Sequence, residues 1–241
     1  MKQKIKTFIK NELQETALLL KSIPALTMTF FVVSIVAMNL LASKLIVDES
    51  WIALDAGITV SWLAFLTMDM IVKRFGPKAS IKISIVAAGI NVVVMLVFTI
   101  AALIPGMWAL NDYATGMNWW IIGASTAAFV VSGVVNSVVN WAIARLFKNK
   151  NKFKAYAVSS YVSTGVGQFV DNLVFALVFT VPAFGLATLP TFMFAMTGAI
   201  VELLCQVVFS PIGYKVANKW KQAGIGQEYL DFISRKVDVK C

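Results

Sequence analysis

Six mostly apolar runs, at residues 24–45, 55–72, 83–104, 120–146, 157–181 and 191–214, set the limits on what this 241-residue chain can fold into. A helix rising about 1.5 Å per residue needs roughly 20 residues to cross a hydrocarbon core of about 30 Å, and these runs have that length. A water-soluble domain of this size could not hide them, since 59% of the residues are hydrophobic, 14% are charged and the mean hydropathy is +0.79. The fold class read from this pattern is an all-α polytopic membrane protein with six transmembrane helices. A basic segment over 1–23 precedes the transmembrane domain of 24–215, and a basic tail of 216–241 follows it.

The charges are distributed as topology requires. Lys73, Arg74, Lys78 and Lys82 cluster in one connection, and Arg145, Lys148, Lys150, Lys152 and Lys154 in another. These alternate with connections that carry only Asp48, Glu49 and Asp112, and Lys44 is the one basic residue expected on that opposite side. By the positive-inside rule both termini are cytoplasmic. The formal charge of +9 is then explained by loop topology, with a lipid bilayer as the partner and no nucleic acid. Trp51, Trp108, Trp119, Trp120 and Trp220 fall near run ends, where interfacial anchoring accounts for them. Pro211 inside the sixth run predicts a kink, and the tail reads as an interfacial or loosely ordered end.

Inside a bilayer the informative residues are the polar ones, because an ionised carboxylate at mid-depth costs about 3 kcal/mol or more. Asp69, Asp171 and Glu202 are such residues. Asp69 lies one turn from the cytoplasmic end and four residues before Lys73, a spacing that predicts a local ion pair with a structural or gating role. Asp171 follows a stripe of Ser160, Ser163, Thr164 and Gly167 and is flanked by Gln168 and Asn172. Small residues alone would serve a packing seam. The carboxylate and two carboxamides within one turn instead predict direct contact with a solute. Glu202, with Gln206 one turn on, adds a second polar face expected to meet the same cavity, and Asn39, Asn136 and Asn140 extend polar stripes on two further helices.

Enzyme chemistry has little to work with here. Histidine is absent, and cysteine occurs only as Cys205 and Cys241. There is no HExxH, no GxxxxGK[ST] and no paired-Asp signature, so no catalytic centre, metal or cofactor is expected. A solute carrier without its own ATPase fits what is left.

The string from Phe65 to Gly76, FLTMDMIVKRFG, together with Asn39, the segment Ser163 through Gly167, Gln168, Asp171 and Asn172 to Phe175, and Ser210, Pro211 and Tyr214, resembles the vitamin uptake transporter family, also called the queuosine precursor transporters. The resemblance implies a bacterial inner-membrane importer of 7-deazaguanine bases, with a fold similar to the substrate-binding subunits of energy-coupling-factor transporters. In that role Asp171 or Glu202 would accept two N–H groups from the guanine-like edge, while Gln168, Asn172 or Asn39 would serve its carbonyl. Gln206 would line the site, and Phe65, Tyr161 or Phe175 would stack on the bicycle. Glu202 stands where the family pattern carries a Lys, which would favour a cationic aminomethyl base over a neutral nitrile. The alternative is a binding subunit for a vitamin or other flat heterocycle that needs a separate ATP-driven module. A homo-oligomer, and a noncatalytic scaffold in which the acids merely pair with polar neighbours, stay open as well.

Overall fold

The computed structural model describes residues 2–42, 45–49, 52–101, 104, 119–147, 152–180 and 188–238. Lys44, Trp51, Trp108, Asp112, Lys148, Lys150 and Cys241, and the side chains of Asp48, Glu49, Trp119 and Trp120, lie outside that description. In chain order the elements are α1 (Lys2–Ser22), α2 (Ala25–Leu41), β1 (Leu45–Glu49), β2 (Ile52–Asp55), α3 (Ile58–Phe75), α4 (Pro77–Ala101), α5 (Trp119–Leu146), α6 (Lys152–Phe175), α7 (Thr188–Gln222) and α8 (Gln227–Asp238). A π-helical turn, Ala176–Thr180, extends α6.

Each of the six apolar runs is helical over most of its described residues, while Leu45 and Asp55 at run ends fall in β1 and β2. Among the described residues, four helical segments are long and apolar enough to cross a membrane: Pro77–Ala101, Ile122–Leu146, Lys152–Val178 and Phe192–Gln222. The α1–α2 pair, bent by 106°, makes a fifth if it is taken as one broken span. The chain is therefore a multi-pass membrane protein. Its exposed apolar side chains include Val93, Val97 and Ile100 on α4 and Leu204, Val208 and Ile212 on α7, a lipid-facing surface.

The helix that fails the apolar test is α3, because its 18 residues include Asp69, Lys73 and Arg74. The reason is positional. Nine consecutive residues, Ala64 to Val72, are buried, so the helix is enclosed on every side. It packs against α2, α4, α5, α6 and α7. A helix surrounded by other helices can be polar where a lipid-facing one cannot.

Between α2 and α3 the structure contains a short antiparallel hairpin that the sequence reading treats only as an acidic loop. Val47 pairs with Leu54, Asp48 with Ala53 and Glu49 with Ile52. At the other end of α3 the chain reverses within a single residue. Gly76 adopts φ +88°, a conformation costly for side chains with a Cβ, and Pro77 opens α4 with the fixed φ suited to a first helical position.

As far as Asp238 the tail is helical and not loosely ordered. Helix α7 continues through Pro211 to Gln222, and α8 folds back onto the bundle. Arg74 holds the turn between them, its Nε donating to the Ile225 carbonyl at 2.9 Å and its Nη2 to Gln227 Oε1 at 3.3 Å. Trp220 is a core residue and not an interfacial anchor: it is 5% exposed and packs near the Phe75 ring, 6.4 Å between centroids. Tyr229 meets the same Phe75 edge-on at 6.0 Å. Across this end runs α1, whose fully buried Glu15 accepts hydrogen bonds from Lys82 and Lys236, both at 2.5 Å, and pairs with Lys78 at 3.1 Å. Glu12 reinforces the cluster through Lys82 at 2.7 Å.

Burial by itself would raise the Glu15 carboxyl, but the hydrogen bonds from Lys236, Lys82 and Lys78 outweigh it and hold the group at about 2. A carboxylate whose pKa is depressed by folding stabilises the fold fully above its ordinary value of 4.5 and loses that contribution as pH falls towards about 2. Protection against amide exchange in residues 227–236, corrected for the intrinsic pH dependence of exchange, should therefore fall across that acid window and stay constant at neutral pH. Glu15→Gln should produce the same loosening at pH 7, at a cost of about 1–3 kcal/mol, because three lysines lose their shared negative charge and one of its two acceptor oxygens. Exchange unchanged by the substitution would contradict this account of the cluster.

A buried carboxylate at the centre of the bundle

Asp69 is 0% exposed, and side chains from three other helices converge on it. Its Oδ1 accepts from Asn140 at 2.8 Å and Asn136 at 3.2 Å, both on α5, and from Ser163 of α6 at 3.4 Å. Its Oδ2 accepts from Gln206 of α7 at 3.0 Å, from Thr164 of α6 at 3.5 Å and, in a short bond, from Ser160 of α6. The donors are tied to one another: Gln206 also donates to Ser160 at 2.7 Å, and Asn140 to Ser163 at 3.2 Å. A carboxylate offers about four lone-pair sites, so six donors share them and satisfy the ionised form. Helical spacing explains the convergence, since Asn136 and Asn140, and likewise Ser160, Ser163 and Thr164, each fall on one face.

The ion pair expected between Asp69 and Lys73 does not form. Asp69 is taken up by donors inside the bundle, and the Lys73 ammonium lies over two aromatic faces, 3.8 Å from the Tyr214 centroid and 4.4 Å from that of Tyr156. The negative faces of the rings compensate the cation in place of a carboxylate.

A second centre is tied to the first through shared helices. Glu202, 4% exposed, lies four residues before Gln206 on α7 and accepts a short hydrogen bond from Ser61 of α3. Gln168, fully buried and four residues after Thr164 on α6, faces it. With its nitrogen turned towards Glu202, the Gln168 carboxamide donates to both carboxylate oxygens, at 2.7 and 3.2 Å. Gln168, Glu202 and Gln206 are thus brought together on facing helices. Asp171 turns to another neighbour and accepts from Ser132 of α5 at 2.7 Å. It sits one turn before the α6 geometry gives way to the π turn, a local irregularity of a kind frequent at functional sites.

The remaining candidates are placed apart or tied up in packing. Asn39 lies on the α2–α5 contact, where Ser125 donates to its oxygen and its own nitrogen donates to the Ile35 carbonyl at 2.8 Å. Asn172 donates to the Ala195 carbonyl at 3.4 Å, over Gly198, where α6 and α7 approach closely. The Tyr161 hydroxyl hydrogen-bonds with Ser210 at 2.9 Å. Phe175 is half-buried at the end of α6. Phe65 is completely buried against Gly167, so in this conformation its ring fills the α3–α6 contact.

What sequence reasoning missed is the set of partners of Asp69, not its candidacy for a structural or gating role. The donors on α5, α6 and α7 each read as a separate stripe, while together they need one common acceptor. Counted from the basic ends of the helices, the carboxylate at matching depth is Asp69. The nearby Lys73 offered a simpler local partner and masked that match.

Two substitutions test this geometry. A Cβ on Gly167 would lie 2.9 Å from Phe65 Cε1 and 3.0 Å from Asn136 Cβ. Gly167→Val should accordingly destabilise the bundle by about 1–3 kcal/mol through overpacking. Asp69→Ala should be worse, about 3–5 kcal/mol, because it strands buried donors from three helices. Thermal unfolding in detergent checks both, and a midpoint for Asp69→Ala equal to that of the native chain would refute the central role of the carboxylate.

Comparison with known proteins gives one result. The family model described as "Putative vitamin uptake transporter" matches residues 55–216, a span that contains α3 to α6 and most of α7 and includes every donor to Asp69. Neither the curated proteins nor the solved structures give a match. With two thirds of its length matched, and the polar centre inside the matched region, the chain belongs to the vitamin uptake transporter family.

Proposed function

We propose that this transporter imports 7-deazaguanine precursors of queuosine across the bacterial inner membrane, by secondary or facilitated transport, with its basic end and both termini in the cytoplasm. The observation that carries the reading is the Glu202–Gln168 pair, a carboxylate and a carboxamide facing each other between α6 and α7. The amino-lactam edge of a deazaguanine presents adjacent N–H donors beside a carbonyl. Glu202 would exchange the Gln168 and Ser61 donors for the two N–H groups, and Gln168, once released, would donate to the base carbonyl. The exchange is close to neutral in hydrogen bonds, as a carrier requires if it is to release its cargo. Asp171, one turn from Gln168, supplies a second carboxylate towards the outer part of α6.

A base bearing an aminomethyl group is cationic, and Glu202, standing at a position where the family pattern carries Lys, would favour it over the neutral nitrile. Glu202→Gln should reduce uptake of both bases through the shared N–H edge, and that of the cationic base by about a further tenfold if about 1.4 kcal/mol of attraction between its ammonium and the carboxylate is lost. The readout is the queuosine content of tRNA in a bacterium lacking its own importer and precursor synthesis, expressing this chain and fed each base in turn. Equal effects on the two bases would remove the charge argument. If membrane-inserted protein restored no queuosine with any base, the substrate assignment would fall. Uptake by the purified chain in liposomes would exclude an obligatory ATP-driven partner.

A further inference from the structure

Two buried carbonyl oxygens beside Asp69 have no hydrogen-bond partner among the described residues. They are Asn136 Oδ1 and Gln206 Oε1, on side chains that are each 0% exposed. Both belong to carboxamides whose nitrogens already touch the carboxylate, at 3.2 and 3.0 Å. A buried carbonyl left without a donor is costly, and native structures rarely keep two at one place without a use for them. The charge is similarly unbalanced. Among the described residues no Lys or Arg forms an ion pair with Asp69, and the nearest cation along its own helix, Lys73, is directed onto the Tyr156 and Tyr214 rings.

From these two observations we propose that Asp69, Asn136 and Gln206 form a binding site for one sodium ion, with the hydroxyls of Ser160, Ser163 and Thr164 as additional oxygen ligands. A half-turn of each carboxamide exchanges its nitrogen and oxygen, so the two orphaned oxygens come to face the carboxylate at about the present nitrogen distances. The hydroxyls can rotate to offer lone pairs in place of protons. The resulting donor set is all oxygen with one negative charge. That composition suits a hard monovalent cation, since a single carboxylate would leave a divalent ion with an uncompensated charge in the bundle interior.

Occupancy of this site would reach the proposed solute site by a short covalent route. Gln206 lies one helical turn from Glu202 on α7, and Thr164 one turn from Gln168 on α6. Turning the Gln206 and Thr164 side chains towards an ion therefore acts on the two helix faces that hold Glu202 and Gln168. The coupling part of this inference rests on the transport reading above; the ion site itself does not.

The test keeps the two separate by measuring ion binding without any solute. Purified full-length protein in detergent is heated in sodium chloride, potassium chloride or choline chloride at equal ionic strength. A ligand that binds only the folded state raises its unfolding midpoint with concentration. The expected result is a saturable rise specific to sodium, absent in Asp69→Asn and displaced to about tenfold higher sodium in Gln206→Met, which keeps the bulk of the side chain and removes its carbonyl. Gln206→Met keeps the test decisive should Asp69→Asn fail to fold. Glu202→Gln should retain the sodium response. A midpoint indifferent to the cation, one that follows pH in place of sodium, or a sodium shift of native size in both variants of the Asp69 centre would overturn the site. A normal sodium response in a protein that imports no deazaguanine would support the site and overturn the substrate assignment instead.

Discussion

An isolated negative charge inside a helical bundle has no water to solvate it, so the surrounding protein must do that work. In this chain the requirement falls on Asp69, and it is met by Asn, Ser, Thr and Gln side chains from α5, α6 and α7. The consequence is a fixed relation among four helices. Sliding α6 by one residue would turn Ser160, Ser163 and Thr164 off the carboxylate by 100° of helical rotation and leave Asp69 partly unsolvated. Between lipid-embedded helices, where burial of apolar surface supplies no driving force, such hydrogen bonds and close packing determine how helices associate. Gly167 contributes the packing half by letting Phe65 of α3 press against α6.

The same arrangement explains why the polar centre does not stop at Asp69. Residues one turn further along the same faces, Gln168 on α6, Glu202 on α7 and, two turns from Asp69, Ser61 on α3, form the next layer. The interior thus holds two carboxylates in successive layers with carboxamides facing each. A rearrangement at one layer is transmitted to the other through helix backbone and not through a chain of loose contacts.

Much of this was legible in the sequence. Runs of about 20 apolar residues gave the helices, and the string from Phe65 to Gly76 gave the family. The stripe of small and hydroxyl residues on α6 indicated the face that meets other helices. What stayed hidden were pairings distant along the chain. Asp69 had an apparent local partner in Lys73, while its true partners lie between 67 and 137 residues away. Which neighbour each acid takes was hidden too, because helical periodicity fixes a face only relative to its own helix; the bundle turns Gln168 towards Glu202 and gives Asp171 the Ser132 hydroxyl. The role of α8 was equally hidden, since Glu15 and Lys236 stand at opposite ends of the chain and only folding unites them.

The enclosure of α3 also bears on how the protein is made. A segment with three charged residues and no lipid-facing side has little tendency to enter hydrocarbon alone. It is joined to the strongly apolar α4 through Gly76 alone, so the two are suited to enter the bilayer together as a hairpin, with α4 supplying the hydrophobicity. All the side chains that solvate Asp69 belong to helices synthesised later. Until α7 emerges the carboxylate is incompletely sheltered, and assembly of the bundle is complete only when Gln206, the last of its donors in chain order, has reached it.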